Sequence, residues 1–218
     1  MFLPHRSSRA AGVRGRRFDP AFSHVTEHSG LRLTTPSTTW VHLASELTVD
    51  ELIMVGDAIV RVPRRRGMIH GTDADALATI AELELALDTG RRQGAAKLRA
   101  ALPQVRVGSA SPPETRLRLA CQRAGLPDPE LDYDVFTLSG APIGYTELAF
   151  PDYRTLVEYE GDHHRVDRAQ WTRDIEKHAA CFSAGWAVVR LTSAHVYPST
   201  APAIELIRRD LVRGGWRP

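Results

Sequence analysis

The order of hydrophobic patterns in residues 109–215 restricts the fold of this chain more than any other feature. A helical pattern opens at Ser111, and strand patterns follow at Tyr133–Leu138, Ile143–Phe150 and Thr155–Glu160. The later patterns predict a helix, an apolar strand and a last helix, over Asp167–Ala184, Trp186–Leu191 and Ala201–Arg213. This order predicts an α/β fold, a three-layer α/β/α core built on a short mixed sheet.

The preceding residues, 1–105, carry a different pattern. Helix-start signals such as Thr48-Val49-Asp50-Glu51 recur there, and they predict several small helices. The segment Pro63–Gly71 is basic and rich in turn residues, which indicates a loop. The composition changes near Val105–Ser111, so we predict a basic, mainly helical N-terminal region, 1–105, and an α/β domain, 109–215.

Composition excludes several classes of protein. The chain has 218 residues, 43% of them hydrophobic, which is enough to bury a core and argues against disorder. No apolar run reaches the length of a membrane span, and the N-terminus lacks the pattern of a secretory signal. Two distant cysteines, Cys121 and Cys181, indicate buried free thiols rather than a disulfide scaffold. We therefore expect a cytoplasmic protein with no membrane partner.

Arginine clusters are the first candidates for contact with a partner. Arg64, Arg65 and Arg66 are consecutive, and a second cluster is formed by Arg14, Arg16 and Arg17. Such clusters can bind the phosphates of a nucleic acid. A solvated charged surface is the alternative, since the net charge of the whole chain is only +2.

The hairpin predicted around Asp152 gathers acidic residues. Glu158 and Glu160 are two residues apart on one strand, so they project from the same face. Counted outward from the turn, Glu147 falls roughly opposite Glu158, where side chains lie about 5 Å apart. Three carboxylates are therefore expected to crowd one patch of the sheet.

Such crowding favours a bound cation. Two like charges 4 Å apart repel by roughly 4 kcal/mol at an effective dielectric of 20. Mg²⁺ or Mn²⁺ would remove this repulsion, and either ion can activate water beside a phosphate. A solvated acidic face is the alternative, but Glu158 and Glu160 end an apolar strand, which is a poor place for idle charge.

Further candidates flank this acidic patch. His163 and His164 follow a glycine directly after the strand, where they can act as general acid or base. Glu114 lies three residues after Ser111 and completes a capping box. It can also reach a metal site from its helix, and the two roles are compatible.

These residues resemble a known family. The chain is similar to the very-short-patch-repair endonuclease-like branch of the PD-(D/E)XK nucleases, and most closely to actinobacterial members of unassigned function. The similarity runs from Ser111 to Arg213, and its motifs are Glu147–Pro151, Val157–His164, Asp174 and Gly185–Arg190. The stretch Thr34–Arg61 resembles the region before this domain in longer proteins, which often carry a segment similar to abortive-infection antitoxins.

The resemblance implies a restriction-endonuclease-like core and assigns roles to the acidic residues. Glu114 matches the acid of the first helix, Glu147 stands in place of the usual Asp, and Glu158 matches the first acid of the E-x-K-like strand. Glu160 stands where that pattern has lysine, so the motif lysine is missing. The resemblance implies that its task falls to one of four other residues, namely His163, His164, Arg165 or Lys177.

Together these features predict a Mg²⁺-dependent or Mn²⁺-dependent endonuclease that hydrolyses phosphodiester bonds in DNA. Its metal ligands would be Glu147, Glu158 and Glu160, with Glu114, His163 and His164 as further catalytic residues. The residues expected to contact DNA are Arg64, Arg65, Arg66, Arg165 and Lys177. The alternatives are a catalytically inactive DNA-binding or regulatory protein and an interaction module of a toxin–antitoxin pair. Besides DNA, a toxin–antitoxin protein or a DNA-repair protein would fit this prediction as a partner.

Overall fold

The computed structural model describes residues 10–12, 15, 18–67, 69–90, 93–161 and 168–218, without the side chains of Arg66 and residues 168–172. The chain divides into two compact units. Unit 1 comprises Met1–Val60 and Leu77–Val105, and unit 2 comprises Arg61–Ala76 and Arg106–Pro218. The predicted division assigned all of residues 1–105 to one region, whereas in the structure Arg61–Ala76 belongs with the α/β unit.

Unit 1 combines a hairpin with short helices. Strands β1 and β2 pair antiparallel, and the described helices are α1 to α4; their bounds are Val25–His28, Leu31–Thr34, Pro36–Leu43, Val49–Val60, Ile80–Asp88 and Ala95–Ala101. Thr48 and Glu51 form the predicted capping box at the start of α2. Trp40 of α1 is fully buried, and its indole donates to the carbonyl of Leu52 at 2.8 Å. This contact links α1 to α2.

Unit 2 begins with a short hairpin where the sequence predicted a loop. Strands β3, Arg64–Arg66, and β4, Ile69–His70, pair antiparallel. The loop prediction was wrong because it considered only local composition. Contacts of Arg64 with residues far along the chain, Asp132 and Asp134, anchor this segment, and local patterns do not reveal them.

The rest of unit 2 follows the predicted order of elements. Helix α5 precedes strands β5, β6 and β7; helix α6 then leads to strand β8 and helices α7 and α8. Their bounds are Pro112–Arg123, Glu130–Phe136, Pro142–Phe150, Thr155–Glu160, Arg168–Ser183, Ala187–Thr192, Ser193–Val196 and Ala201–Arg213. The four strands form one sheet in the order β5-β6-β7-β8. The first three are antiparallel and β8 is parallel to β7, so the predicted α/β fold with a mixed sheet is confirmed.

Two cores cover the two faces of this sheet. Leu148 and Phe150 of β6 pack with α5 and α8, whereas Ala149 between them packs with α6. This alternation follows from the two-residue period of a strand. The cysteines are free and buried, Cys121 in the first core and Cys181 in the second. The sheet therefore lies between two helical layers, as predicted.

Strands β6 and β7 separate beyond the hairpin turn. Their pairing in the described chain covers three residue pairs and ends at Leu148 and Val157. Beyond that point β6 continues along β5, and β7 continues along β8 as far as Glu160. Thr146 bridges the start of the gap, since its buried hydroxyl donates to the Val157 carbonyl at 3.0 Å. We call this divergence the fork.

No helix within the described ranges is long and apolar enough to cross a lipid bilayer.

Candidate functional site

Glu158 is the centre of a polar cluster at the fork. It is the first residue of β7 beyond the last pair with β6, and its side chain is only 13% exposed. Lys177 donates to Oε1, and His178 Nε2 lies 2.7 Å from Oε2. Burial alone would raise the pKa of Glu158, but the charge of Lys177 and the hydrogen bond with His178 outweigh it and lower that pKa. Glu158 is therefore held as a carboxylate.

Lys177 is fixed by two acceptors. Besides Glu158, its ammonium donates to the backbone carbonyl of Tyr145 at 2.6 Å. Gly144 lies alongside, and a Cβ built there would come within 3.5 Å of the Lys177 Cε. A lysine side chain has a flexible four-carbon stem, so paired acceptors are needed to hold its charge in one place. The structure thus puts Lys177, one of the four predicted substitutes for the motif lysine, next to the candidate catalytic glutamate.

Glu147 occupies the other arm of the fork. Extending the register by one step from Leu148 and Val157 places it opposite Glu158. Burial raises the pKa of Glu147 to about 7, and the neighbouring charges of Glu158 and Glu114 add to this effect. Its Oε2 atom is buried and has no hydrogen-bond partner among the residues that the structure describes. Glu147 is therefore the least satisfied carboxylate of the cluster.

Glu114 binds the segment that precedes α5 and lies close enough to this cluster to affect Glu147. It accepts hydrogen bonds of 2.7 Å from the Ala110 amide and from the Ser111 hydroxyl at the start of α5. Burial raises the pKa of Glu114, and these two bonds only partly offset it. Its charge in turn raises the pKa of Glu147. The predicted capping box is therefore not formed, because in the described part of the chain the Ser111 side chain accepts no hydrogen bond from the start of α5 and Glu114 binds the Ala110 amide instead of the Ser111 amide. The second role, proximity to the site, is supported by the effect of Glu114 on the pKa of Glu147.

Glu160 does not join the other carboxylates. Its side chain is 37% exposed and accepts a hydrogen bond from Arg190 on the adjacent strand β8. Sharing a strand face with Glu158 was the basis for predicting it as a metal ligand, but its carboxylate is bound by Arg190, and among the described residues it forms no three-ligand group with Glu147 and Glu158. The predicted residues His163, His164 and Arg165 lie outside the described residues.

The predicted DNA-contacting arginines have separate environments. Arg64 has a side chain only 9% exposed, and it is bound by Asp132 and Asp134. Arg65 is 57% exposed and pairs with Asp75 at 2.8 Å. The Arg66 side chain and the cluster Arg14, Arg16 and Arg17 are outside the described parts. Arg64 is therefore already neutralised within unit 2, and phosphate contact by the other arginines remains a prediction.

The donors at the fork have the chemistry that a divalent cation requires. Glu147 and Glu158 offer hard carboxylate oxygens of the kind preferred by Mg²⁺ and Mn²⁺. A cation would also satisfy Glu147 Oε2 and reduce the repulsion that raises the pKa of this residue. Within the described residues, however, no three His, Cys, Asp or Glu side chains form a group suited to hold a metal ion. Two of the three predicted ligands, Glu147 and Glu158, thus face each other, and Glu160 does not.

His178 is a member of the cluster that the sequence did not reveal. It follows Lys177 on α6, and both reach the same carboxylate from adjacent positions. Nothing in the local pattern distinguishes it from other helix residues. Only an indirect indication was available. A helix that packs on a sheet buries one face, and polar residues on that buried face require a polar partner.

Comparison with known proteins gives relatives without assigned functions. Two uncharacterized proteins of Mycobacterium tuberculosis, MT2308 of strain CDC 1551 / Oshkosh and Rv2248 of strain H37Rv, are each 29% identical over 186 residues. The alignments cover 85% of this chain and 64% of each relative, so the chain spans less than two thirds of their length. No family model matches the chain, and no solved structure matches it. The resemblance to very-short-patch-repair nucleases stays a prediction.

Proposed function

We propose that unit 2 is a metal-dependent nuclease domain that hydrolyses phosphodiester bonds in DNA. The observation that carries this proposal is the placement of two glutamates opposite each other at the fork. Glu147, whose buried Oε2 has no hydrogen-bond partner among the described residues, lies across from Glu158, whose two oxygens are bound by Lys177 and His178. Carboxylates, a fixed ammonium and an imidazole within one cluster are groups that phosphate hydrolysis can use.

Each residue has a distinct task in this proposal. Glu147 and Glu158 would hold the cation, which would supply positive charge to the phosphate and activate water. Lys177 directs its ammonium at the place where negative charge develops, and its fixed position makes that stabilisation effective. His178 orients Glu158 through the bond at Oε2. Glu114 contributes negative charge from the start of α5.

The topology supports the same proposal. A helix, three antiparallel strands, a second helix and a parallel strand, in that order, position the acidic residues where β6 and β7 diverge. Because the arms of the fork are rigid strands, the carboxylates are presented at fixed spacing. One fold supports many functions, so the side chains of the cluster, rather than the topology, indicate the chemistry.

A specific observation favours a second function, a DNA-binding or regulatory protein that does not cleave. Both oxygens of Glu158 are already occupied by Lys177 and His178, and no group of three metal ligands is present among the described residues. Such a protein would bind DNA equally well in the presence of a chelator. The nuclease would lose cleavage under that condition.

The test is cleavage of supercoiled and mismatched DNA by the full chain with Mg²⁺, Mn²⁺ or chelator. The informative variant is Glu158→Gln, which keeps the shape of the side chain but removes its charge. Glu160→Gln is the matched control, because it makes the same change two residues away at a carboxylate that pairs with Arg190. We expect cation-dependent nicking that is lost in Glu158→Gln and retained in Glu160→Gln. Absence of nicking by the folded parent with every cation, together with intact DNA binding, would favour the regulatory protein.

A further inference from the structure

The β3–β4 hairpin contributes one buried cation to the α/β unit. Every nitrogen of the Arg64 guanidinium donates to strand β5: Nε to Asp132 Oδ1 at 2.6 Å, Nη1 to Asp134 Oδ1 at 2.7 Å, and Nη2 to the Asp132 carbonyl at 2.6 Å. His70 of the same hairpin lies 2.9 Å from Asp134. A rigid, three-pronged donor of this kind fixes the backbone as well as the side chains that it binds.

The backbone held by Arg64 is unusual. Asp132 has a φ of 50°, in the left-handed region that non-glycine residues rarely adopt, although it lies within a strand. Its place in the β5–β6 register is opposite Glu147 of the fork, since Leu131 pairs with Leu148 and Tyr133 pairs with Thr146. Such a conformation persists only when surrounding contacts enforce it. Arg64 supplies these contacts through both the Asp132 carboxylate and its carbonyl.

A second contact connects Arg64 to Lys177. The Arg64 guanidinium carbon lies 4.2 Å from the centroid of the Tyr145 ring, and Tyr145 is the register partner of Asp134. The carbonyl of the same Tyr145 accepts the Lys177 ammonium. Tyr145 of β6 therefore contacts Arg64 through its ring and Lys177 through its backbone oxygen. Any shift of this strand segment would move the acceptor that holds Lys177 beside Glu158.

We propose that Arg64 is a positioning residue that sets the location of the Lys177 ammonium at the fork through Asp132, Asp134 and Tyr145. Its catalytic consequence rests on the proposed nuclease function, whereas the positioning itself does not. The β3–β4 hairpin therefore contributes a residue to the candidate site, although it lies in the sequence outside the predicted α/β domain. Arg64 acts within the protein rather than on a phosphate, because each of its three nitrogens already donates to β5 and its charge is paired with Asp132 and Asp134.

The chain allows a direct test, since Lys97 and Lys177 are its only lysines. Labelling lysine with ¹³C and ¹⁵N in the full chain gives one set of side-chain NMR signals for each, and Lys97→Arg assigns them. The informative variant is Arg64→Gln. Arg65→Gln is the matched control, because it removes the same charge from the neighbouring residue, whose partner is Asp75.

We expect Arg64→Gln to move the Lys177 ammonium signals towards those of a free lysine, while the Lys97 signals and all signals of Arg65→Gln stay in place. If the parent cleaves DNA, kcat should fall by roughly 10²-fold in Arg64→Gln with little change in KM, the cost of a misplaced catalytic group. Unmoved Lys177 signals in a folded Arg64→Gln protein would overturn the inference, whatever happens to cleavage. A parent that fails to cleave would contradict the nuclease proposal and leave the NMR result to decide the role of Arg64.

If Arg64→Gln does not fold, Asp134→Asn provides the same test. It keeps the volume of the side chain and weakens one of the contacts of Arg64. The Lys177 signals should then move in the same direction by a smaller amount. Signals identical to those of the parent would count against the proposal.

Discussion

His178 Nε2 lies 2.7 Å from Oε2 of Glu158, and this bond fixes the orientation of the carboxylate at the fork. Because Lys177 occupies the other oxygen, the loss of His178 should free Glu158 to rotate without removing its charge. We therefore expect His178→Ala to reduce the rate of DNA cleavage by roughly 10²-fold, the order found for misplaced catalytic groups.

The test compares His178→Ala with His178→Gln by kcat and KM at several pH values. Gln can still donate to Oε2, so a positioning role predicts substantial recovery in that variant. If both variants lose cleavage equally, His178 acts by proton transfer instead, since an imidazole can take up and release a proton and the amide of Gln cannot.

Glu147 should make the stability of the protein depend on pH in an unusual direction. Its pKa is raised from 4.5 to about 7 by burial and by the charges of Glu158 and Glu114. The unfolded chain therefore releases this proton at lower pH than the folded chain does. The stabilisation is complete below about pH 4.5 and is lost as the pH rises through 7, at a cost of about 3 kcal/mol.

This prediction is checked by urea unfolding of the parent and Glu147→Gln between pH 5 and pH 8 in chelator. The free energy of unfolding of the parent minus that of Glu147→Gln should fall by about 3 kcal/mol between pH 5 and pH 8. The variant therefore becomes relatively more stable at high pH. Mg²⁺ should raise the stability of the parent more at pH 8 than at pH 5, because the ionised form binds the cation. Parallel profiles for the two proteins would show that Glu147 titrates normally.

Lys177 and Glu158 should be strongly coupled in stability. Glu158 is 13% exposed, so removing Lys177 leaves a buried carboxylate with less compensation. We expect Lys177→Met to destabilise the protein by about 2 kcal/mol at pH 7, the scale of a hydrogen bond to a charged group. Because the pKa of Glu158 is lowered in the fold, its contribution is present above the unfolded pKa and is lost as the pH falls.

A double-mutant cycle measures this coupling. In Lys177→Met with Glu158→Gln, most of the cost of the lysine substitution should disappear, because no charge remains to be compensated. Additive effects of the two substitutions would mean that the ion pair contributes nothing beyond packing. The coupling energy between Lys177 and Glu158 should also be smaller at acid pH, where Glu158 becomes protonated.

Much of this arrangement follows from the sequence, and the reason is local. The order of elements in unit 2 and the facing of Glu147 and Glu158 depend on strand period and hairpin register, which residues close in sequence determine. Arg64 and His178 were not identified in these roles because their partners are far along the chain, Asp132 in one case and Glu158 in the other. Periodicity shows which face of its element a residue occupies, but it does not identify the charged residue that packs against it from another element.

Glu160 shows the limit of the same local reasoning. It shares the strand of Glu158, yet its carboxylate is bound by Arg190 of β8, a residue 30 positions further along the chain. Which cation reaches a carboxylate from a neighbouring strand is a tertiary property, and the sequence of one hairpin does not contain it.

Glu114 allows the two roles of one carboxylate to be separated. It accepts from the Ala110 amide and the Ser111 hydroxyl just before α5, and Glu114→Ala should cost about 1 kcal/mol of stability through the loss of these bonds. Glu114→Gln keeps an acceptor for the amide but removes the charge that raises the pKa of Glu147. We expect Glu114→Gln to retain most of the thermal stability while shifting the concentration of Mg²⁺ needed for cleavage. Equal thermal stability and an unchanged Mg²⁺ dependence in Glu114→Gln would limit this residue to holding the segment before α5. Thermal unfolding and a Mg²⁺ titration of cleavage distinguish the two outcomes.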